Sequence, residues 1–241
     1  MDKRYTHNLT TSFLQTSKIF EKHPRLEQHQ QMIINFFIGN PNHRGLLAAH
    51  DMGTGKTRSA IHLMNYFKKT DPKRKIVFCC PKSLVNNFKG SLETEIKECP
   101  DFVLKEKDVA IAMITSPNFL KQVVEAVEDP LTAAMYKGME RKIETYIQNP
   151  DILENTLLIF DEAHNFFGSV ASAKNVIKDE SDSLDHYRKT ELLYGMICRT
   201  KNIKLLFMTG TPMKNYLYEV AIAANMLYGK KPQTPFLFPD L

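Results

Sequence analysis

The stretch that decides the fold of this chain is His50-Asp51-Met52-Gly53-Thr54-Gly55-Lys56-Thr57. An apolar run at residues 45–49 precedes it and predicts a short buried strand, and helical periodicity follows over residues 57–69. Glycines between a strand and a helix allow backbone angles that turn amide N–H groups inward, and the positive end of the helix faces the same point. The stretch therefore predicts a loop that holds the phosphates of a nucleotide.

Two side chains of this loop have a predicted chemical role. Lys56 would reach the β- and γ-phosphates as a point charge, and Thr57 would ligate Mg²⁺ through its hydroxyl group. The usual pattern begins with glycine, whereas this chain has His50 at that position. A Gly-rich turn without a ligand is the alternative interpretation. The predicted nucleotide contacts in this region are Met52, Gly53, Thr54, Gly55, Lys56, Thr57 and Arg58.

A second informative stretch is Leu157-Leu158-Ile159-Phe160-Asp161-Glu162-Ala163-His164, which predicts a buried strand ending in two carboxylates. Asp161 would hold Mg²⁺, usually through water, and Glu162 would orient or deprotonate the attacking water. Lys56, Asp161 and Glu162 are therefore the predicted catalytic residues. The alternative is an acidic N-cap of a following helix. His164 is predicted to couple the site to a moving element and not to act as the base.

The composition fits a globular protein of one large domain or two small ones. Its 241 residues are 43% hydrophobic and 24% charged, and the formal net charge of +5 permits a nucleic-acid partner. No apolar run reaches the roughly 18–20 residues that span a bilayer, and the charged N-terminus is not followed by the apolar segment of a signal peptide. The four cysteines form no CxxC pair, which predicts reduced core thiols and an intracellular protein.

Short apolar strands alternate with helices along the rest of the chain. The further predicted strands are 76–80, 109–114, 156–160 and 204–208, and the further predicted helices are about 26–37, 84–97, 131–148, 186–199 and 216–228, with another after Ser116-Pro117. This alternation predicts an α/β domain with a mostly parallel sheet covered on both faces. The stretch 168–185, rich in Ser, Asp and Lys, predicts a mobile loop.

Five segments, in order, resemble the motifs of the first RecA-like motor domain of superfamily 2 helicases and translocases, in the Snf2-like branch. They are Leu26…Gln30…Phe36, the loop at 51–57, Cys80-Pro81-Lys82-Ser83-Leu84, Asp161-Glu162-Ala163-His164 and Met208-Thr209-Gly210-Thr211-Pro212. By itself, the last segment would be a plain turn. Arg44-Gly45-Leu46-Leu47 and Asp-Glu-Ala-His-Asn-Phe are, more finely, similar to helicase-like ATPases and early transcription factor subunits of large DNA viruses. A cellular Snf2-like protein is the alternative.

The resemblance implies a RecA-like P-loop NTPase fold, a three-layer sandwich, over residues 26–241, after an N-terminal extension at 1–25. It implies that Gln30 reads adenine. The residues implied to couple ATP to movement are His164, Thr209, Gly210 and Thr211. Those implied to face a nucleic-acid backbone are Pro81, Lys82, Ser83, Thr115 and Ser116. A solvated surface lysine is the alternative for Lys82.

The resemblance also implies the ligands and partners. These are ATP with Mg²⁺, nucleic acid with double-stranded DNA favoured over RNA, and the transcription machinery, with no membrane. The protein would act inside the cell, or in a virion if it is viral. A second RecA-like domain, absent from this sequence, would supply arginines, so the fragment is expected to hydrolyse ATP only weakly. The alternatives are a nucleotide-gated interaction module of a larger assembly and an RNA helicase domain.

Overall fold

The structure, a computed structural model, describes residues 25–51, 53–129, 151–175, 183–212 and 218–229. Five strands form one sheet, in the order β1-β5-β4-β2-β3, and every neighbouring pair is parallel. The strands are β1 Gly45–Ala49, β2 Lys75–Cys80, β3 Val109–Met113, β4 Thr156–Asp161 and β5 Ile203–Thr209. The predicted α/β class with a parallel sheet is confirmed.

Seven α-helices lie within the described residues. They are α1 Gln28–Gly39, α2 Lys56–Thr70, α3 Val85–Glu98, α4 Phe119–Val127, α5 His164–Asn175, α6 Ser183–Arg199 and α7 Tyr218–Tyr228. Two short 3₁₀ turns, Lys82–Leu84 and Glu106–Asp108, precede α3 and β3. None of these described helices is long and apolar enough to cross a membrane.

Successive side chains of a strand point to opposite faces of the sheet, and both faces are covered here. Val77 and Cys79 of β2 pack with apolar residues of α4, α5, α6 and α7. Ile76, Phe78 and Cys80 pack on the other face with apolar residues of α1, α2 and α3. The result is the predicted three-layer arrangement, in which helices on both sides explain why the strands are apolar throughout.

Stacked aromatic rings join α3 to the sheet. The rings of Phe78 in β2 and Phe88 in α3 lie 3.8 Å apart at an interplanar angle of 13°. The two side chains are 0% and 1% exposed. Since α3 follows the segment Pro81-Lys82-Ser83, this contact fixes the helix that positions that segment at the end of β2.

Arg44 holds the ends of two helices at the start of β1. Its Nε donates to the carbonyl oxygen of Met226 at 2.6 Å, near the end of α7. Its two terminal nitrogens donate to the carbonyl oxygens of Ile197 and Thr200, at the end of α6. Carbonyl groups at a helix end lack partners within the helix, so one guanidinium satisfies two such ends and ties them to the sheet.

The predicted mobile loop at 168–185 is wrong for most of its length, because α5 continues to Asn175 and α6 begins at Ser183. The fully buried residues Phe166, Phe167, Val170 and Ala171 form one helical stripe against the sheet. That stripe outweighs the weak helix propensity of the Gly and Ser residues between its members. Residues 176–182, the predicted helix at 131–148 and residues 1–24 of the predicted extension lie outside the described residues.

Candidate nucleotide site

Three neighbouring strands bring the two decisive stretches together. The sheet order places β5 between β1 and β4, so the loop after β1 and the carboxylates after β4 lie at one edge. The backbone N–H of His50 donates to the carbonyl oxygen of Thr209 at 3.1 Å, and that of Ala163 donates to the carbonyl oxygen of Met208 at 3.0 Å. The carboxyl ends of parallel strands are where α/β proteins bind ligands.

The loop after β1 has the backbone that its glycines were predicted to allow. Gly53 has φ 81° and Gly55 has φ 76°, both in the left-handed region that favours glycine. Gly55 is also the N-cap of α2, whose first residue is Lys56. The free N–H groups and the positive end of α2 therefore face the loop, which suits a phosphate.

Two side chains of α1 close the loop from the side. Gln30 Nε2 donates to the carbonyl oxygen of Thr54 at 3.0 Å, and its Oε1 accepts from the backbone N–H of Glu27 at 3.1 Å. His29 Nε2 lies 2.8 Å from the same Thr54 oxygen. A methyl group on Gly55 would overlap Gln30 Nε2, so any larger residue here would have to displace the Gln30 amide. Gln30, predicted to read adenine, thus lies directly against the phosphate loop.

Lys56 lies inside the loop with its ammonium group facing the second stretch. Its Nζ donates to the carbonyl oxygens of His50 and Asp51 at 3.1 and 3.4 Å. It also lies 3.8 Å from Glu162 Oε1, and the lysine side chain is only 8% exposed. A buried ammonium near a carboxylate, with carbonyl partners in place, is a cation held ready for a negatively charged ligand.

Asp161, the last residue of β4, is buried, and its environment opposes its charge. Burial and, after it, the Glu162 carboxylate raise the pKa of Asp161 to about 6, although a hydrogen bond from the Glu162 backbone N–H and the Lys56 charge act in the other direction. Glu162 itself has φ 51°, a rare conformation for a residue other than glycine. Such strain is typical of functional sites.

His164 connects these carboxylates to the segment after β5. Its Nδ1 lies 2.9 Å from Thr209 Oγ1, 3.3 Å from Thr211 Oγ1 and 3.3 Å from Glu162 Oε2. The carboxylate accepts only, so an Nδ1–H donor can be shared among the carboxylate and the two hydroxyl oxygens. Thr209 Oγ1 also accepts from the backbone N–H of Thr211 at 3.1 Å. The predicted coupling residues therefore form one connected group, with Gly210 between the two threonines.

Thr57 and Arg58, two of the predicted nucleotide contacts, lie in different surroundings. Thr57 lies half-buried in the first turn of α2, beside the phosphate loop. Arg58 points to α3 instead, where its Nε lies 2.7 Å from Glu95 Oε1 as an ion pair. The predicted contact of Arg58 with the nucleotide stays a prediction, and it would compete with this ion pair. Met52 lies outside the described residues.

The predicted nucleic-acid residues form a separate group at the ends of β2 and β3. These two strands pair side by side, and the backbone N–H of Ile114 donates to the carbonyl oxygen of Cys80 at 3.0 Å. Lys82, Ser83 and Thr115 are exposed, while Pro81 and Ser116 are half-buried. Since β2 also pairs with β4, this exposed group lies next to the nucleotide site on the same edge of the sheet.

Sequence reasoning missed two neighbours of the site, His29 and Cys80. His29 shares the Thr54 carbonyl with Gln30, and its ring lies 5.6 Å from the ring of His50 in a T-shaped pair. Burial lowers the pKa of His50, and His29 and Lys56 lower it further. Burial and, after it, the charge of Asp161 raise the pKa of Cys80 to about 12. The only sequence signals were that His29 precedes Gln30 and that Cys80 ends a strand.

The donor set fits a magnesium nucleotide. Asp161 is a buried carboxylate whose charge is disfavoured by burial, and Thr57 offers a hydroxyl group in the first turn of α2, beside the phosphate loop. Oxygen ligands of this kind are those that Mg²⁺ prefers, with phosphate oxygens and waters completing the shell. Thr57 and Asp161 would hold the ion, which would supply positive charge against the charge of the phosphates. Lys56 would then be the protein's own cation on the same phosphates.

The fold and site define a class: a parallel α/β domain with a P-loop and a helicase-type Asp-Glu-Ala-His segment. A sequence model of the SNF2-related domain matches residues 29–234. The chain belongs to this family and is therefore a helicase-type motor domain of the Snf2-like branch.

Relatives of the chain come from large DNA viruses. It is 32% identical over 200 residues to the "Termination factor NPH-I homolog" of African swine fever virus, covering 81% of this chain and 24% of that protein. It is 28% identical over 205 residues to the "Putative ATP-dependent RNA helicase R563" of Acanthamoeba polyphaga mimivirus, covering 84% of this chain and 32% of that protein. The chain thus spans about a quarter to a third of these relatives' length.

A solved structure is also similar. The SWI2/SNF2 ATPase core of Sulfolobus solfataricus, determined in complex with dsDNA, aligns with 86% of this chain and 36% of that chain, at a TM-score of 0.47 and 17% sequence identity.

Proposed function

We propose that this chain is the ATP-binding half of a motor that hydrolyses ATP with Mg²⁺ and uses the energy to move along nucleic acid. The observation that supports this most directly is the contact of 3.8 Å between Lys56 Nζ and Glu162 Oε1. It brings the phosphate-binding cation and the carboxylate that would act on water into one site. A loop that bound phosphate for structural purposes alone would have no need of Glu162.

The roles of the site residues follow from their positions. Lys56 and the amides of Gly53 and Gly55 bind the triphosphate, while Thr57 and Asp161 hold Mg²⁺. Glu162 orients the attacking water and accepts its proton. Its other oxygen faces His164, so a change of charge on Glu162 is felt by the hydrogen bonds that His164 makes to the segment after β5.

Gln30 supplies the selectivity for adenine. Its amide is fixed at both ends, by Thr54 and by the backbone of Glu27, so its orientation is set before a ligand arrives. A fixed amide beside the loop can form paired hydrogen bonds with the edge of a base. Replacing Gln30 with alanine is expected to weaken ATP binding and to reduce discrimination against GTP.

The track is double-stranded DNA and the process is transcription. The viral relative named as a termination factor supports transcription, and the exposed Lys82, Ser83 and Thr115 beside the site support contact with a phosphate backbone. We further propose that a second RecA-like domain closes the ATP site in the whole protein, which works inside the cell or in the virion. An RNA track is the second candidate, because another relative carries the name of an RNA helicase.

The decisive experiment is ATP turnover by the whole protein without nucleic acid and with duplex DNA, single-stranded DNA or RNA. Stimulation by duplex DNA, lost in Glu162→Gln, is the expected result. Stimulation by RNA alone would replace the DNA proposal with the RNA one. ATP binding without turnover on any polymer would contradict the motor and favour a nucleotide-gated interaction module. Lys82→Ala should weaken stimulation and leave the basal rate unchanged, because Lys82 lies outside the nucleotide site.

A further inference from the structure

A second group of chemically active side chains lies away from the nucleotide site, between α2 and α3. His62 lies in the middle of α2, Glu95 lies in the last turn of α3, and Cys99 is the C-cap of α3. All three side chains are buried, with exposures of 4%, 6% and 6%. None of them contributes to the ATP chemistry described above.

The three ligand-type atoms converge on one carboxylate oxygen. His62 Nε2 lies 2.9 Å from Glu95 Oε2, Cys99 Sγ lies 3.5 Å from the same oxygen, and all three atoms lie within 4.8 Å of one another. Zinc bonds of about 2.0–2.2 Å to nitrogen or oxygen and about 2.3 Å to sulfur, in a tetrahedral arrangement, separate ligand atoms by about 3.3–3.6 Å. The separations of 2.9 and 3.5 Å from Glu95 Oε2 are therefore close to those between zinc ligands.

The two carboxylate oxygens of Glu95 have different partners. Arg58 Nε lies 2.7 Å from Oε1, which leaves Oε2 for His62 and Cys99. Burial opposes the charge of Glu95, but the His62 hydrogen bond and the Arg58 charge outweigh it and leave the pKa of Glu95 below its ordinary value. The carboxylate is therefore ionised, as a metal ligand must be.

Cys99 is a thiol when no metal is bound. Burial raises its pKa, and the hydrogen bond to Glu95 raises it further, while Arg25 acts in the opposite direction with its Nη1 at 3.7 Å from Sγ. A divalent cation would bind the thiolate and release the thiol proton to solvent. The arginine at the sulfur and the arginine at Oε1 would then limit the negative charge at the site.

A groove gives the cluster access to solvent. It has a volume of about 560 Å³ and is lined by Arg58, Glu95 and Glu98, together with polar side chains of α3 such as Asn87 and Ser91. Of the three cluster residues, Glu95 lines the groove, so the groove reaches the cluster at this carboxylate. Glu98, paired with Arg25 at 3.3 Å, stands at the exposed side, where a water or carboxylate would complete four ligands.

We propose that His62, Glu95 and Cys99 bind one Zn²⁺, with a fourth position open to the groove. The set of one nitrogen, one oxygen and one sulfur ligand suits zinc better than Mg²⁺ or Ca²⁺, which prefer oxygen alone. The ion fastens the helix that begins at Lys56 to the helix that follows Lys82. It therefore stiffens the connection between the nucleotide loop and the exposed group at the end of β2.

The test uses the whole chain after removal of metals with a chelator, and without nucleotide because triphosphates bind divalent cations. Co²⁺ serves as a coloured probe for Zn²⁺, since a cobalt–thiolate bond gives a charge-transfer band that oxygen and nitrogen ligands do not. The expected result is one equivalent of Co²⁺ with this band, displaced by one equivalent of Zn²⁺. At Zn²⁺ one hundred times above its Kd, Tm should rise by about 5–10 °C.

Matched cysteine variants assign the site. Cys99→Ser should lose the charge-transfer band and weaken Zn²⁺ binding at least tenfold, and His62→Gln should weaken binding similarly. Cys198 is a buried cysteine on the other face of the sheet, so the control variant Cys198→Ser should keep both the band and the affinity. No band in the wild-type protein, or equal binding by Cys99→Ser, would overturn the proposal. The wild-type spectrum decides even where a variant fails to fold.

Discussion

Replacing Gly55 with alanine tests the geometry of the phosphate loop, because Gly53 provides a matched control. Both glycines have positive φ, 81° at Gly53 and 76° at Gly55. A methyl group on Gly53 would meet no atom within 4 Å, whereas one on Gly55 would overlap Gln30 Nε2. The backbone cost is therefore shared by the two variants, and only Gly55→Ala must also displace Gln30.

The magnitudes follow from these contacts. A residue other than glycine in the left-handed region costs about 1–2 kcal/mol, which is the expected loss of stability for Gly53→Ala. Displacing Gln30 breaks its hydrogen bonds to Thr54 and Glu27, at about 0.5–1.5 kcal/mol each. Gly55→Ala should therefore lower the free energy of unfolding by about 2–5 kcal/mol.

The assay is urea unfolding without nucleotide, followed by circular dichroism, for both variants and for each combined with Gln30→Ala. In the Gln30→Ala background the cost of Gly55→Ala should fall to about 1–2 kcal/mol, because no amide remains to be displaced. The cost of Gly53→Ala should stay the same in both backgrounds. Equal costs for the two glycine variants in the presence of Gln30 would refute the reasoning.

Three further predictions concern the frame around the site. Phe88→Ala should lower the free energy of unfolding by about 3–5 kcal/mol in the same assay, since it removes a buried ring stacked on Phe78. Arg44→Lys should lower the free energy of unfolding by about 2–4 kcal/mol, because one ammonium cannot reach the carbonyl groups of both helix ends. A loss of stability as small as that caused by replacing a surface lysine would contradict this. The pKa of His50 is lowered from 6.5 in the folded state, so the unfolded chain takes up the proton first and stability falls as the pH drops below about 6.5. His50→Gln should therefore lose less stability than the wild type between pH 7 and about 5, and parallel losses would exclude the effect.

The strand–loop–helix framework could be predicted from sequence because its signals are local. An apolar strand of five residues, two glycines and a lysine leave little choice of backbone, and the predicted strand at 45–49 matches β1 Gly45–Ala49. The strand β4 and the two carboxylates at its end could be predicted from local signals in the same way. The order of the strands is not local, and only the structure places β5 between β1 and β4.

The errors came where packing outweighs composition. Gly168 and Ser169 suggested a loop, although the buried rings of Phe166 and Phe167 hold this segment as a helix against the sheet. The ion-pair partner of Arg58 could not be predicted from the sequence either. Its carboxylate, Glu95, belongs to another helix and is more than thirty residues away along the chain, so no spacing rule could identify the ion pair.

The position of β5 explains how one segment can respond to both halves of the site. Thr209 accepts from the backbone of His50 through its carbonyl oxygen and lies against His164 through its hydroxyl group. A phosphate at Lys56 would compete with Glu162 for the ammonium group, because the two now lie only 3.8 Å apart. Glu162 would then interact more strongly with His164, which draws the shared Nδ1–H away from the two threonines. Since Thr211 is exposed, we expect the change to reach the surface at the end of β5.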